Sequence, residues 1–102
     1  EKYSADDEIT SAQALGIIGD CYAQTGKAEE ALKYYVKAAG KRDNDFTAPF
    51  YLMKAGNTAM YLKKYSDAAK YFETIKNKYP DSSEAATVDK YLEFAKAAAQ
   101  NK

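Results

Sequence analysis

Residues 15–38 read LGIIGDCYAQTGKAEEALKYYVKA, and residues 52–75 read LMKAGNTAMYLKKYSDAAKYFETI. Laid one over the other, Leu15 falls on Leu52, Gly19 on Gly56, Ala31 on Ala68 and Tyr35 on Phe72, every pair 37 residues apart. Four matches of size and polarity at a single period, in a chain of 102 residues, mark an internal repeat. Each unit runs Leu, Gly, Ala, aromatic in the same order. Where two antiparallel helices cross most closely bulk is excluded, so Gly on one helix and Ala on the other predict the crossing. Leu and the aromatic ring then fill the space beside it.

Working outward, apolar and small residues recur at helical spacing throughout, and no segment alternates with period two. Residues 1–7 are polar and read as a lead-in. A first helix follows to Gln24 with Leu15, Ile18, Gly19 and Tyr22 on one face, and Thr25-Gly26 stops it, Gly being the residue that accepts a left-handed C′ position. A second runs from about Lys27 to Gly40, with Ala28, Ala31, Leu32, Tyr35 and Ala39 on one side, and the polar run Lys41–Asp45 closes it. Thr47 reads as an N-cap and Pro49 as a first-turn residue of a third helix, which extends to about Lys63 with Leu52, Ala55, Gly56 and Ala59 in register. The fourth spans about Ser66 to Lys78, presents Ala68, Phe72, Ile75 and Tyr79, and is broken by Pro80. Asp81 with Glu84 reads as the cap of a fifth helix carrying Val88, Tyr91, Leu92 and Ala95. The chain is therefore expected to be all-α, an α-α superhelix of two helix pairs plus a C-terminal capping helix.

Composition narrows the function. Fifteen basic and fifteen acidic residues balance to zero, which argues against a dedicated nucleic-acid binder. Histidine is absent, removing the commonest general base and metal ligand, and a lone Cys21 allows neither an internal disulfide nor a Cys-based zinc site. No nucleophile elbow or phosphate loop is present, so no enzyme, no cofactor and no metal is expected. Asp6-Asp7-Glu8 and Asp43-Asn44-Asp45 lack the Gly and Glu of a calcium loop. No stretch approaches the ~20 apolar residues of a membrane span.

The pattern Leu15-x2-Ile18-Gly19-x2-Tyr22-x3-Gly26-x4-Ala31-x3-Tyr35-x2-Ala38 resembles the tetratricopeptide repeat. So does Leu52-x3-Gly56-x11-Ala68-x3-Phe72-x2-Ile75-x4-Pro80. Leu stands for the family's Trp in both units, Ala59 for a usual Tyr, and Lys63 for the turn glycine. Because family repeats are ~34 residues long, the longer spacing implies about three extra residues, placed at the end of the second helix or in the Lys41–Phe46 linker. The resemblance implies one domain: repeat 1 over about 12–44, repeat 2 over about 47–80 and a terminal helix over about 82–100.

A narrower resemblance rests on Asp45–Gly56, on Ile75–Ser82 with its Tyr79-Pro80-Asp81-Ser82 junction, and on Asp89-Lys90-Tyr91. These stretches are similar to membrane-anchored tetratricopeptide proteins of Gram-negative envelopes, of the type of the YfgM ancillary subunit of the Sec translocon. That likeness implies a C-terminal region opening at Glu1, a periplasmic setting, membrane contact only through an anchor outside these residues, and a scaffold or chaperone-like role.

The family's concave groove implies a protein or peptide partner. Its positions map onto Gln13, Gly16, Asp20, Ala23 and Gln24 in the first unit, and onto Phe50, Met53, Asn57, Met60 and Tyr61 in the second. Two placements fit the large residues Phe50, Met53 and Met60: lining the groove, or packing on neighbouring helices or the terminal helix. A carboxylate-gripping subtype of the family is not matched, because Gly16 and Asp20 replace what its clamp needs. Purely structural oligomerisation or solenoid capping, with no ligand of its own, is the alternative function.

Smaller features complete the expectations. Cys21, one residue off the apolar stripe with no adjacent Lys or Arg, reads as a buried structural thiol. Tyr35 belongs to the core and Tyr34 to the outside, so the Tyr34 side is a second surface, besides the groove, on which a partner is expected. Glu29-Glu30 with Lys33 and Lys37 forms an i, i+4 pattern worth a few tenths of a kcal/mol. Lys63-Lys64 and Lys76/Lys78 read as solvated surface. Ile17 and Cys21 point away from the partner stripe of the first helix, so an upstream repeat or a second copy is expected to cover that side.

Overall fold

The computed structural model describes residues 11–41 and 47–101. Among them are five helices and no strand: α1 (Ala12–Gln24), α2 (Ala28–Lys41), α3 (Thr47–Tyr61), α4 (Tyr65–Lys78) and α5 (Ala85–Gln100). The helices form a row in which each packs on the next in the chain, with α1 also touching α3. This is the all-α architecture that the helical spacing predicts. Asp6-Asp7-Glu8 and Asp43-Asn44-Asp45, with most of the expected linker, lie outside the described residues.

Helix ends follow local chemistry. Ser11 caps α1, its Oγ accepting from the Ala14 N–H at 3.2 Å. At the other end Lys27 N–H donates to the Tyr22 carbonyl at 2.8 Å and Gly26 N–H to Ala23 at 3.2 Å, with Gly26 at φ 83. That is a Schellman closure. It is repeated 37 residues on: Lys64 N–H donates to Ala59 at 2.8 Å, Lys63 N–H to Met60 at 3.0 Å, and Lys63 takes φ 64. The third helix therefore stops at Tyr61, two residues short of the expected Lys63. The turn keeps its left-handed geometry even where lysine replaces glycine.

Two expected caps differ from the structure. Thr47 is the first residue of α3, not the position before it. Helix α5 begins at Ala85 with Glu84 at the N-cap position, whose side chain makes no capping bond; the Ala85 N–H is held instead by Ser82, whose Oγ accepts from it at 3.1 Å and donates to the Tyr79 carbonyl at 2.8 Å. Ser82, with a short hydroxyl that can donate and accept at once, serves both chain directions; the Asp81 carboxylate, an acceptor only, cannot.

The core is made of small residues under rings. Ala31, Ala68, Phe72, Ile75, Val88 and Ala95 are fully buried. A Cβ added to Gly19 would lie 2.8 Å from Cε1 of Tyr35 and 3.3 Å from the Ala31 carbonyl oxygen. One added to Gly56 would lie 2.7 Å from Cζ of Phe72. The two pairs thus nest at the glycines in the same way, each second-helix ring resting on the bare backbone of the first helix. Leu52, expected in the core stripe, is only half-buried. The interior place goes to Tyr51, whose ring lies over Gly16 of α1, where an added Cβ would fall 2.6 Å from Oη.

Candidate functional site

Helices α1 and α3 lie side by side and share one face of the molecule. At its centre the Asp20 carboxylate accepts hydrogen bonds from the Tyr35 hydroxyl and from Lys54 Nζ, the latter at 2.9 Å. Lys54 Nζ also stands 5.5 Å from the Tyr35 ring centre and 5.4 Å from that of Phe50. One ammonium therefore ties α1, α2 and α3 together by a charge-assisted bond and by contact with two π faces. Burial alone pushes the Asp20 carboxyl up, but the hydrogen bonds from Tyr35 and Lys54, with the lysine's charge, hold it below the 3.8 of a free aspartate. Tyr35 moves the other way: burial, then its hydrogen bond to Asp20, raise the phenol well above its ordinary value. Burial raises Tyr51 as well, helped by the nearby Asp20 charge.

Two clefts flank this polar centre. One, of about 490 Å³, is lined by Gln13, Thr47, Phe50, Tyr51 and the turn Asp81–Glu84. The other, of about 390 Å³, is lined by Ala23, Gly26, Ala28, Asn57, Thr58 and Tyr61. Phe50 is 45% exposed in the first and Tyr61 78% exposed in the second.

The expected groove residues divide accordingly. Gln13 and Phe50 meet at the first cleft, and Asn57 and Tyr61 at the second, beside Ala23. Gln24 is exposed at the end of α1 and lines neither. Met53 and Met60 are half-buried, packed against the core, and line neither cleft. Asp20 is engaged by Tyr35 and Lys54, and Gly16 lies buried beneath Tyr51. Lys54, central to the face, was not among the expected residues. Its partners lie 19 and 34 positions away in the chain, and only the stacking of the repeats brings them together.

Three side chains sit differently from expectation. Cys21 is exposed, because the side of α1 that carries it faces neither α2 nor α3. Tyr34 is half-buried, stacked on Tyr22 at 5.6 Å with Lys37 Nζ 5.1 Å above its ring. Glu29 pairs with Lys64, the N-cap residue of α4, at 3.2 Å, while Glu30 holds Lys33 at 3.7 Å through an i, i+3 contact. The tertiary pair replaces the expected i, i+4 one because α2 and α4 run side by side on the outer face.

Among the described residues no cluster of three or more His, Cys, Asp or Glu is placed to hold a metal ion, and no helix is long and apolar enough to cross a membrane.

Residues 51–82 match the family model of the tetratricopeptide repeat. No curated protein and no solved structure matches the chain. The matched stretch opens on Tyr51 in α3, crosses at Gly56 under Phe72, turns at Lys63 and closes on Ser82, whose Oγ accepts from the first N–H of α5. Residues 51–82 are thus similar to a tetratricopeptide repeat, within an all-α row of helices consistent with that fold.

Proposed function

We propose that the chain is a non-catalytic protein-recognition module that binds a protein or peptide on the face shared by α1 and α3. Tetratricopeptide repeats generally serve as protein–protein interaction modules, and one observation carries the reading here. Two large rings, Phe50 and Tyr61, stand exposed at the two clefts of one face, on either side of a neutralised Asp20–Lys54 pair. Exposed aromatics flanking a satisfied polar centre offer apolar contact area without an unpaired charge to desolvate. In this reading residues 12–44 and 47–80 are the two repeats and 82–100 the terminal helix. The resemblance of the junction Tyr79–Ser82 to envelope proteins supports a periplasmic scaffold or chaperone-like setting, which cell fractionation of the full-length protein tests.

The test of recognition is crosslinked partner capture by the double variant Phe50→Ala/Tyr61→Ala. Loss of capture with unchanged far-UV circular dichroism is expected; undiminished capture overturns the reading. The alternative, a capping segment without its own ligand, is favoured by one feature. On α5 the position 37 residues beyond Gly56 is the exposed Glu93, so this helix cannot take a close-crossing partner.

A further inference from the structure

The two clefts of the α1/α3 face differ in charge. The first is walled by the ring of Phe50 and lined by two carboxylates, Asp81 and Glu84, with no basic side chain among its lining residues. The second, around Tyr61, is lined by neutral residues alone. Among the described residues neither Asp81 nor Glu84 forms an ion pair. Glu84 accepts from Ser83 Oγ at 3.3 Å, a neutral donor that leaves its charge in place. The ammonium of Lys54 stands 5.4 Å from the Phe50 ring centre, but it is bonded to Asp20 and neutralises that carboxylate instead.

The start of α5 does not reverse the sign. Its first N–H, on Ala85, is held by Ser82 Oγ, and those of Ala86 and Thr87 donate to the carbonyls of Ser83 and Glu84 at 3.2 Å. The turn therefore presents its acids and not a bare helix end. An apolar wall beside two unneutralised carboxylates suits a long aliphatic stem that ends in a cation. Lys and Arg lay such stems along apolar surface, and either head group can donate to the acids. A partner carboxylate or phosphate would meet two like charges there.

The second cleft calls for different chemistry. It offers the exposed Tyr61 ring, and the Asn57 amide can both donate to and accept from a backbone passing over it. Phe50 and Tyr61 belong to one helix, α3, which sets them about 16 Å apart along its axis. An extended chain covers that distance in about five residues.

We propose that the α1/α3 face recognises an extended segment with two anchors about five residues apart: a Lys or Arg seated between Phe50 and the Asp81/Glu84 pair, and a large apolar side chain at Tyr61. The inference rests on the recognition role of that face and adds the chemistry of its ligand.

A displayed library of random dodecapeptides, selected on the full-length protein, tests it. Enriched peptides should carry Lys or Arg about five residues from a Leu, Met or aromatic residue. Their affinity should fall about fivefold or more on Asp81→Asn/Glu84→Gln, which removes both charges and keeps the shape, and should weaken as salt is raised. On Asp81→Lys/Glu84→Lys, peptides with Glu at the basic position should bind better than the originals. Far-UV circular dichroism checks the fold of each variant, and the salt dependence needs no variant. Enriched peptides that lack the basic residue, or that bind the neutralised variant equally well and ignore salt, overturn the inference. If Phe50→Ala/Tyr61→Ala still abolishes their binding, the recognition role of the face stands without it. Peptides that bind that double variant undiminished, or no enrichment at all, overturn both.

Discussion

The ring of Phe72 lies directly on the backbone of Gly56. Phe72 is fully buried, and a Cβ at position 56 would reach to 2.7 Å from its Cζ. A ring enclosed on all sides cannot step aside, so the added methyl must separate α3 from α4.

Gly56→Ala is therefore expected to destabilise the chain by about 1–3 kcal/mol despite alanine's better helix propensity, and Gly56→Val by more. Gly40 is the control. It lies within α2 with nothing within 4 Å of an added Cβ, so Gly40→Ala should stabilise by about 0.5–1 kcal/mol. Urea unfolding midpoints of the two variants should move in opposite directions.

Lys63 holds φ 64 and Gly26, its repeat image, φ 83. A lysine in the left-handed region is strained by about 1 kcal/mol or more. Lys63→Gly should raise stability by roughly 0.5–1 kcal/mol, and Gly26→Ala should lower it by roughly 1 kcal/mol. Thermal melts of the two single variants check the signs.

The family pattern exposes this strain in the sequence, since Lys63 stands where a turn glycine is usual. The nesting of Gly19 with Ala31 and the fully buried stripe Ala68, Phe72 and Ile75 are equally legible, because local spacing alone determines them. The polar centre of the candidate site is not. Asp20, Tyr35 and Lys54 come from three helices, and nothing in their spacing singles them out. The exposure of Cys21 is hidden for a related reason: helical periodicity gives a residue's angle on its helix, but not whether a neighbour stands there.

Acid should release the Asp20 junction. Its carboxyl titrates below 3.8 in the folded chain, so the stabilisation it gives is complete above the unfolded value and is lost as pH falls through the folded one. The native chain should lose more stability between about pH 5 and pH 2 than Asp20→Asn does. The difference is expected to stay at or below about 1 kcal/mol, because the Lys54 and Asp20 side chains are 34% and 42% exposed and solvent screens the pair. Denaturant titrations at several pH values measure it.

Ser82 and Asp81 separate two accounts of where α5 begins. Ser82→Ala removes the 3.1 Å bond from Ala85 N–H and should cost about 1 kcal/mol. Asp81→Ala should change stability by no more than about 0.5 kcal/mol. The reverse order in chemical denaturation would make Asp81 the cap.

The recognition face is tested most directly by a photo-crosslinking residue introduced singly at Phe50, at Tyr61 and, on the outer face, at Lys33 of the full-length protein. Protein adducts are expected from Phe50 and Tyr61 and none from Lys33. Adducts from Lys33 alone, or equally from all three positions, would contradict a partner docked across α1 and α3.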